Sequence, residues 1–167
     1  SSQVGATNVK TERQRGIEVG VDAGFLSNRL ALELSYYTQH TQDLLLTRSL
    51  AYTSGYSSQL ENVGTLDNKG VEFLVRGVPF DGDIRWAVTL VYAANKNEVN
   101  DIEGGVRTLP DSYSITAAVN GQALGVFYGS NFQRDANNNI VYDAGGLPVR
   151  STANKVIGDP NPKYTAS

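Results

Sequence analysis

The sequence predicts an all-β chain: antiparallel strands running up and down as an incomplete sector of a larger, closed transmembrane β-barrel. Three observations predict it. Four segments alternate apolar and polar residues with a period of two. Short turns join these segments on one side, and much longer stretches join them on the other. Aromatic rings collect at both ends of the segments, with aliphatic side chains between them.

In the first segment Ile17, Val19, Val21, Ala23 and Phe25 share one face, against Glu18, Gly20, Asp22 and Gly24 on the other. The second sets Leu30, Leu32, Leu34 and Tyr36 against Ala31, Glu33, Ser35 and Tyr37. The third sets Val71, Phe73 and Val75 against Glu72, Leu74 and Arg76; the fourth sets Trp86, Val88, Leu90 and Tyr92 against Arg85, Ala87, Thr89 and Val91. No charge falls on any apolar face, and a helix would need the apolar residues three and four apart instead. These segments predict membrane strands over residues 15–25, 30–40, 69–78 and 84–95. Their lipid-facing residues are then Ile17, Val19, Val21, Leu30, Leu32, Leu34, Val71, Phe73, Val75, Trp86, Val88, Leu90 and Tyr92.

The connections carry as much information as the strands. Leu26-Ser27-Asn28-Arg29 and Pro79-Phe80-Asp81-Gly82-Asp83 have turn composition and read as tight links. Residues 41–68 and 96–163 read as long loops, unusual in a compact soluble domain. Outer-membrane barrels put short turns on the inner side and long loops on the outside. The first and third strands therefore run inward, the second and fourth outward, and the loops are extracellular. Gly121, Gly125 and Gly129 interrupt the β character of residues 121–132, so residues 95–163 are expected to form one extracellular structure with no added pair of membrane strands. Phe25 and Trp86 lie at the short-turn side; Tyr36, Phe73 and Tyr92 lie at the long-loop side, completing an aromatic girdle.

Composition narrows the function classes. A formal charge of −3 argues against a nucleic-acid partner. The absence of cysteine removes disulfides and thiolate metal ligands. The chain has no run of about 18 apolar residues for a membrane helix, but a barrel strand needs only about 9–11. Neither end has the character of a natural boundary, so the chain reads as an internal piece of a longer protein. A soluble secreted β-sandwich that binds carbohydrate is the alternative, since soluble strands also alternate; there the aromatics would scatter through a core.

The sequence offers little chemistry for an enzyme, and none is expected. His40 is the only histidine, at the edge of a loop beside Thr41, and reads as a solvated residue more readily than as a general base. Glu18, Asp22, Glu33 and Glu72, with Arg76 and Arg85, read as the wetted wall of a pore. Asp135-Ala136-Asn137-Asn138-Asn139 begins like a calcium loop, but Ile140 stands where the sharp turn needs glycine and Gly146 where a bidentate glutamate belongs. A surface turn is the better reading, with no metal and no cofactor. Gly104-Gly105 and Gly145-Gly146 lack phosphate-loop spacing. Asp159-Pro160-Asn161-Pro162 is a stiff extended approach to the next strand.

Several short motifs occur in a familiar order: Thr11-Glu12-Arg13, Ile17 to Asp22, Phe25 to Leu30, Ser35-Tyr36-Tyr37 and Thr41 to Leu45. Asn62-Val63-Gly64, Asn68 to Glu72, Trp86 and Asn95 to Val99 continue it. Then come Gly121 to Gly129, with Ala123 where proline is usual, and Ile157 to Tyr164. This order resembles the SusC/RagA-type TonB-dependent transporters of the bacterial outer membrane. The resemblance implies that residues 1–167 are part of one barrel domain of about 22 strands closed around an N-terminal plug, the plug and the TonB-contacting segment lying upstream of this chain. It implies import of glycan oligomers or peptides, energy relayed by TonB, and a SusD-like surface lipoprotein as lid. Substrate contacts are then expected from loop aromatics and amides: Tyr52, Tyr56, Gln59, Tyr113, Phe127, Tyr128 and Asn131.

Overall fold

The structure is a computed structural model that describes residues 3–4, 8–109 and 115–167. In chain order its strands are β1 Gln3–Val4, β2 Arg13–Phe25, β3 Leu30–Gln42, β4 Leu45–Ser49, β5 Ser58–Asn62, β6 Thr65–Asp81, β7 Arg85–Asn100, β8 Val106–Thr108, β9 Thr116–Val119, β10 Val126–Phe132, β11 Arg150–Gly158 and β12 Thr165–Ala166. They form three sheets, ordered β12-β7-β6-β3-β2, β1-β5-β4 and β11-β10-β9-β8. The five-stranded sheet is antiparallel throughout, and β2, β3, β6 and β7 are the four alternating segments.

Register explains why alternation in each strand produces one continuous face. Direct cross-strand partners lie on the same side of a sheet. Val21 pairs with Leu34, Leu34 with Phe73 and Phe73 with Tyr92. The next such row is Ala23, Leu32, Val75 and Leu90. A one-residue slip at any ladder would invert that strand's faces, so the shared apolar face specifies the pairing. Nothing among the described residues covers it: Val19, Val21, Leu34 and Leu90 are 48–63% exposed. The sandwich alternative needs a second sheet packed on this face.

The strands run beyond the apolar segments. β3 continues to Gln42, β6 begins at Thr65 and β7 reaches Asn100. Their extensions are mostly polar, apart from the paired Leu66 and Val99, so backbone ladders persist where hydrophobic alternation has stopped.

The short-turn end is tightly tied. Leu26, Ser27 and Asn28 all adopt left-handed backbone conformations, at φ of 54°, 55° and 64°. Arg29 then reaches across to β6, donating from Nε to the Val78 carbonyl (3.2 Å) and from Nη2 to the Pro79 carbonyl (2.9 Å). The β6–β7 ladder shifts register between Gly77 and Phe80, the bulge that presents these carbonyls. Phe80 and Trp86 stack beyond it, with centroids 6.1 Å apart.

The long-loop end holds the buried core. Val63, Val99, Ile102 and Ala118 pack together with Leu46, Leu66 and Leu124 around them. The stretch expected as the loop 41–68 contains the β4–β5 hairpin, with Leu45 opposite Asn62. Gly64, with φ of +63°, closes this region against β7; a Cβ there would stand 2.3 Å from the Asn100 carbonyl oxygen.

The stretch expected as the loop 96–163 contains the upper end of β7 and the β8–β11 sheet. Gly121 and Gly125 fall outside its strands, whereas Gly129 lies inside β10 and does not break it. β10 pairs with β9 and β11, not with any member of the five-stranded sheet. After Asp159-Pro160-Asn161-Pro162 the chain returns to that sheet as β12, with Thr165 opposite Ala93.

Candidate functional site

The polar face of the five-stranded sheet changes character along its length. Toward the short turns, Asp22 lies directly opposite Glu33, and a neighbouring row places Ala31 beside Arg76. Toward the long loops, on β3, β6 and β7, the charges give way to amides: Gln39 pairs with Asn68, and Asn68 with Asn97. The adjoining row is Glu18, Tyr37, Gly70 and Asn95. Asn95 Nδ2 donates to the Tyr37 hydroxyl oxygen and to Asn68 Oδ1, both at 2.8 Å. Tyr37 lies over Gly70, where a Cβ would approach its ring to 2.6 Å. This neutral patch of Tyr37, Gln39, Asn68, Asn95 and Asn97 was absent from the expected contacts. Its signal was the polar phase of the alternation, which continues past the apolar stretch as amides.

Amide side chains also fasten the loop sheets to this wall. Asn97 Oδ1 accepts from the Leu124 amide at 2.7 Å, and Asn161 Nδ2 donates to the Leu124 carbonyl at 3.2 Å. Asn62 Nδ2 donates to the carbonyls of Lys10 and Asp43. Between β7 and the segment after β11 lies a groove of about 370 Å³, lined in part by Asn95, Asn97, Gln122, Asn161 and Lys163. Across the loop sheets, Arg107 Nη2 lies 3.0 Å from Glu61 Oε1. That contact is an ion pair by distance without hydrogen-bond alignment, since Glu61 Oε1 and Arg107 Nε have no hydrogen-bond partner.

The expected loop contacts are distributed over two sheets. Tyr52 opens a 3₁₀ turn, Tyr52–Ser54, and Tyr56 and Gln59 lie on the same hairpin. Phe127, Tyr128 and Asn131 belong to β10 in a different sheet, and Tyr113 lies outside the described residues. The β10–β11 ladder shifts register between Phe127 and Tyr128. Phe127 packs toward Gly158, where a Cβ would meet its ring at 3.2 Å. Asn131 Oδ1 accepts from the Phe132 amide at the bulge between Ser130 and Phe132.

His40 is not simply solvated: its Nδ1 lies 2.6 Å from Asp67 Oδ1 on the apolar-face side of the sheet, beyond the apolar rows. Asp135 closes a surface turn. Its Oδ1 accepts from the backbone amides of Asn137 (2.9 Å) and Asn139 (2.8 Å). Asp143 repeats the arrangement eight residues on, accepting from Gly145 and Leu147. The Asn139 amide bond holds the Asp135 carboxyl below its ordinary value, with desolvation opposing and the bonds from the Asn139 side chain and Asn137 adding to it. Among the described residues, no three His, Asp or Glu side chains gather as a metal site.

A sheet with an uncovered apolar face, a polar opposite face and tight turns at one end defines the class: a wall of a membrane β-barrel. Residues 1–165 match the family model described as TonB dependent receptor-like, beta-barrel, and the chain belongs to that family. It is 31% identical to TonB-dependent receptor P3 of Formosa agariphila, over 95% of this chain and 18% of that protein. It is 30% identical to TonB-dependent receptor SusC of Bacteroides thetaiotaomicron, over 59% of this chain and 10% of that protein. Among solved structures, the RagAB peptide transporter matches with a TM-score of 0.70 at 24% identity, over 93% of this chain and 19% of that one. That likeness is one of fold. The chain thus spans less than a fifth of the length of each of these relatives.

Proposed function

We propose that the chain is a sector of an outer-membrane importer's barrel, with the apolar rows on lipid, the polar face on the lumen and both loop sheets outside the cell. The observation that carries this is the uncovered apolar face. Four paired strands with open edges would leave backbone groups unsatisfied in hydrocarbon, so the sector functions inside a closed barrel. The chain does no covalent chemistry. Its lumenal wall gives a passing solute acidic and arginine side chains near the short turns, and neutral amides and Tyr37 near the mouth.

Glycan or peptide oligomers are the substrates this wall suits, because amides supply oriented hydrogen bonds and rings supply stacking faces. The name of the RagAB peptide transporter supports the peptide side of this reading. Tyr56, Gln59, Phe127, Tyr128 and Asn131 then meet substrate only where their loop sheets border the mouth, together with Tyr52 and Tyr113. Energy from TonB, through a plug elsewhere in the full protein, and a SusD-like lipoprotein lid complete the assembly. Sidedness tests it. In the full-length protein on intact cells, a cysteine at Ser58 or Asn138 labels with a membrane-impermeant reagent, and one at Ser27 does not. Labelling at Ser27 alone would invert the topology.

A further inference from the structure

Toward the long loops, the apolar face ends abruptly. Beyond the row Val19, Tyr36, Val71 and Ala94 comes the row Ile17, Thr38, Lys69 and Lys96, with Lys69 and Lys96 direct cross-strand partners. Like charges directly opposite in a sheet repel, and an anion held between the ammonium groups relieves that repulsion. The acids nearby are partly occupied. Asp67 is engaged by His40 at 2.6 Å, and Glu98 lies 3.4 Å from Lys96 Nζ. Lys69 makes no ion pair among the described residues. Thr38, Asp67, Asn68, Lys69, Lys96 and Glu98 line a shallow groove of about 310 Å³ on this face.

The height of this row decides its meaning. Trp86 and Lys96 lie ten residues apart on one face of β7. At ~3.4 Å per residue and a tilt of ~40° the separation projects to about 26 Å, close to the ~25 Å apolar band of an outer-membrane barrel. With Trp86 at one interface, Lys69 and Lys96 stand at the other. Lysine stems can lie along apolar surface there while their ammonium groups reach the headgroup layer.

We propose that Thr38, Lys69 and Lys96 bind the phosphate headgroup of a membrane amphiphile in the leaflet on the long-loop side. Its acyl chains lie along Tyr36, Val71 and Tyr92. The two ammonium groups and the hydroxyl donate to phosphate oxygens, and the anion relieves the repulsion of the lysine pair. The site rests on the lipid-facing reading of the apolar rows.

The test is native mass spectrometry of the full-length protein in detergent with phosphatidic acid, chain-matched phosphatidylcholine, and inorganic phosphate as competitor. The wild type retains phosphatidic acid in preference to phosphatidylcholine. The double variant Lys69→Gln/Lys96→Gln binds phosphatidic acid about thirtyfold more weakly, with phosphatidylcholine unchanged. Lys155→Gln, on β11, leaves both unchanged. Equal phosphatidic acid binding by the wild type and the double variant overturns the site alone. So does displacement of the lipid by equimolar inorganic phosphate, which would mark a site for a free anion. Retention of neither lipid by the wild type also overturns the site, whereas the lipid-facing reading falls separately, on equal destabilisation of the intact barrel by Leu32→Arg and Glu33→Arg.

Discussion

Gly70 shows how one residue shapes the proposed lumenal wall. Any side chain there meets the Tyr37 ring at 2.6 Å and the Ala94 carbonyl oxygen at 2.8 Å, so Tyr37 can lie flat and reach Asn95 only over a glycine. Gly70→Ala is expected to lower barrel stability by roughly 1–3 kcal/mol through overpacking. Denaturant unfolding of the full-length protein checks it, and Gly70→Ala/Tyr37→Ala should lose less than the sum of the single changes. The Asp135 turn has a pH signature. Its carboxyl is depressed in the folded turn, chiefly by the Asn139 backbone amide. Its contribution is therefore present above the ordinary value of 3.8 and disappears as pH falls through the lower folded value. Hydrogen exchange should show residues 135–139 opening faster in Asp135→Ala at neutral pH, with the difference from wild type vanishing in strong acid. In the sequence, Asp135 was legible as a turn former because its side chain acts locally. The His40–Asp67 pair was not, because its partners lie on different strands and only register brings them together.

Among the elements, the strands with one apolar face were legible and the others were not. β2, β3, β6 and β7 carry period-two alternation because one face must be apolar. β4, β5, β8 and β9 are five residues or fewer, too short to establish a period. β11 is largely exposed and polar, so nothing in its pattern separates it from a loop. The expectation that Gly129 interrupts β10 fails because β11 keeps the ladder through it, with Lys155 opposite Gly129, and β9 holds the start of the strand at Val126 and Phe127. The short turns make an element-scale prediction. Arg29 joins the β2–β3 turn to the β6 bulge through two carbonyls that no other side chain reaches among the described residues. Arg29→Ala is expected to lower stability by about 1–3 kcal/mol. Arg29→Lys should recover only part of this, since one ammonium cannot reproduce the guanidinium fork. Thermal unfolding of the full-length barrel measures both.

Over the whole molecule, chain direction and hydrophobic pattern agree. β7 runs toward the long-loop end, the chain builds the β8–β11 sheet there, and β12 re-enters beside β7 in the opposite direction. That return keeps the up-and-down order a barrel needs. It was legible because Asp159-Pro160-Asn161-Pro162 marks a stiff approach to a further strand. The loop sheets and the amide patch stayed hidden because their contacts cross long sequence separations, such as Asn161 with Leu124. The central claim is that one face of the five-stranded sheet lies against lipid and the other faces water. Adjacent residues of β3 test it most directly. Leu32 sits in the apolar row between Ala23 and Val75, while Glu33 lies on the other face between Asp22 and Leu74. In the intact barrel, Leu32→Arg should cost roughly 2–4 kcal/mol for a charge near the bilayer midplane. Glu33→Arg should cost much less, since it also removes a like-charge contact with Asp22. Unfolding of the two variants in lipid bilayers gives the comparison; equal destabilisation, or a larger loss at Glu33, would contradict the account.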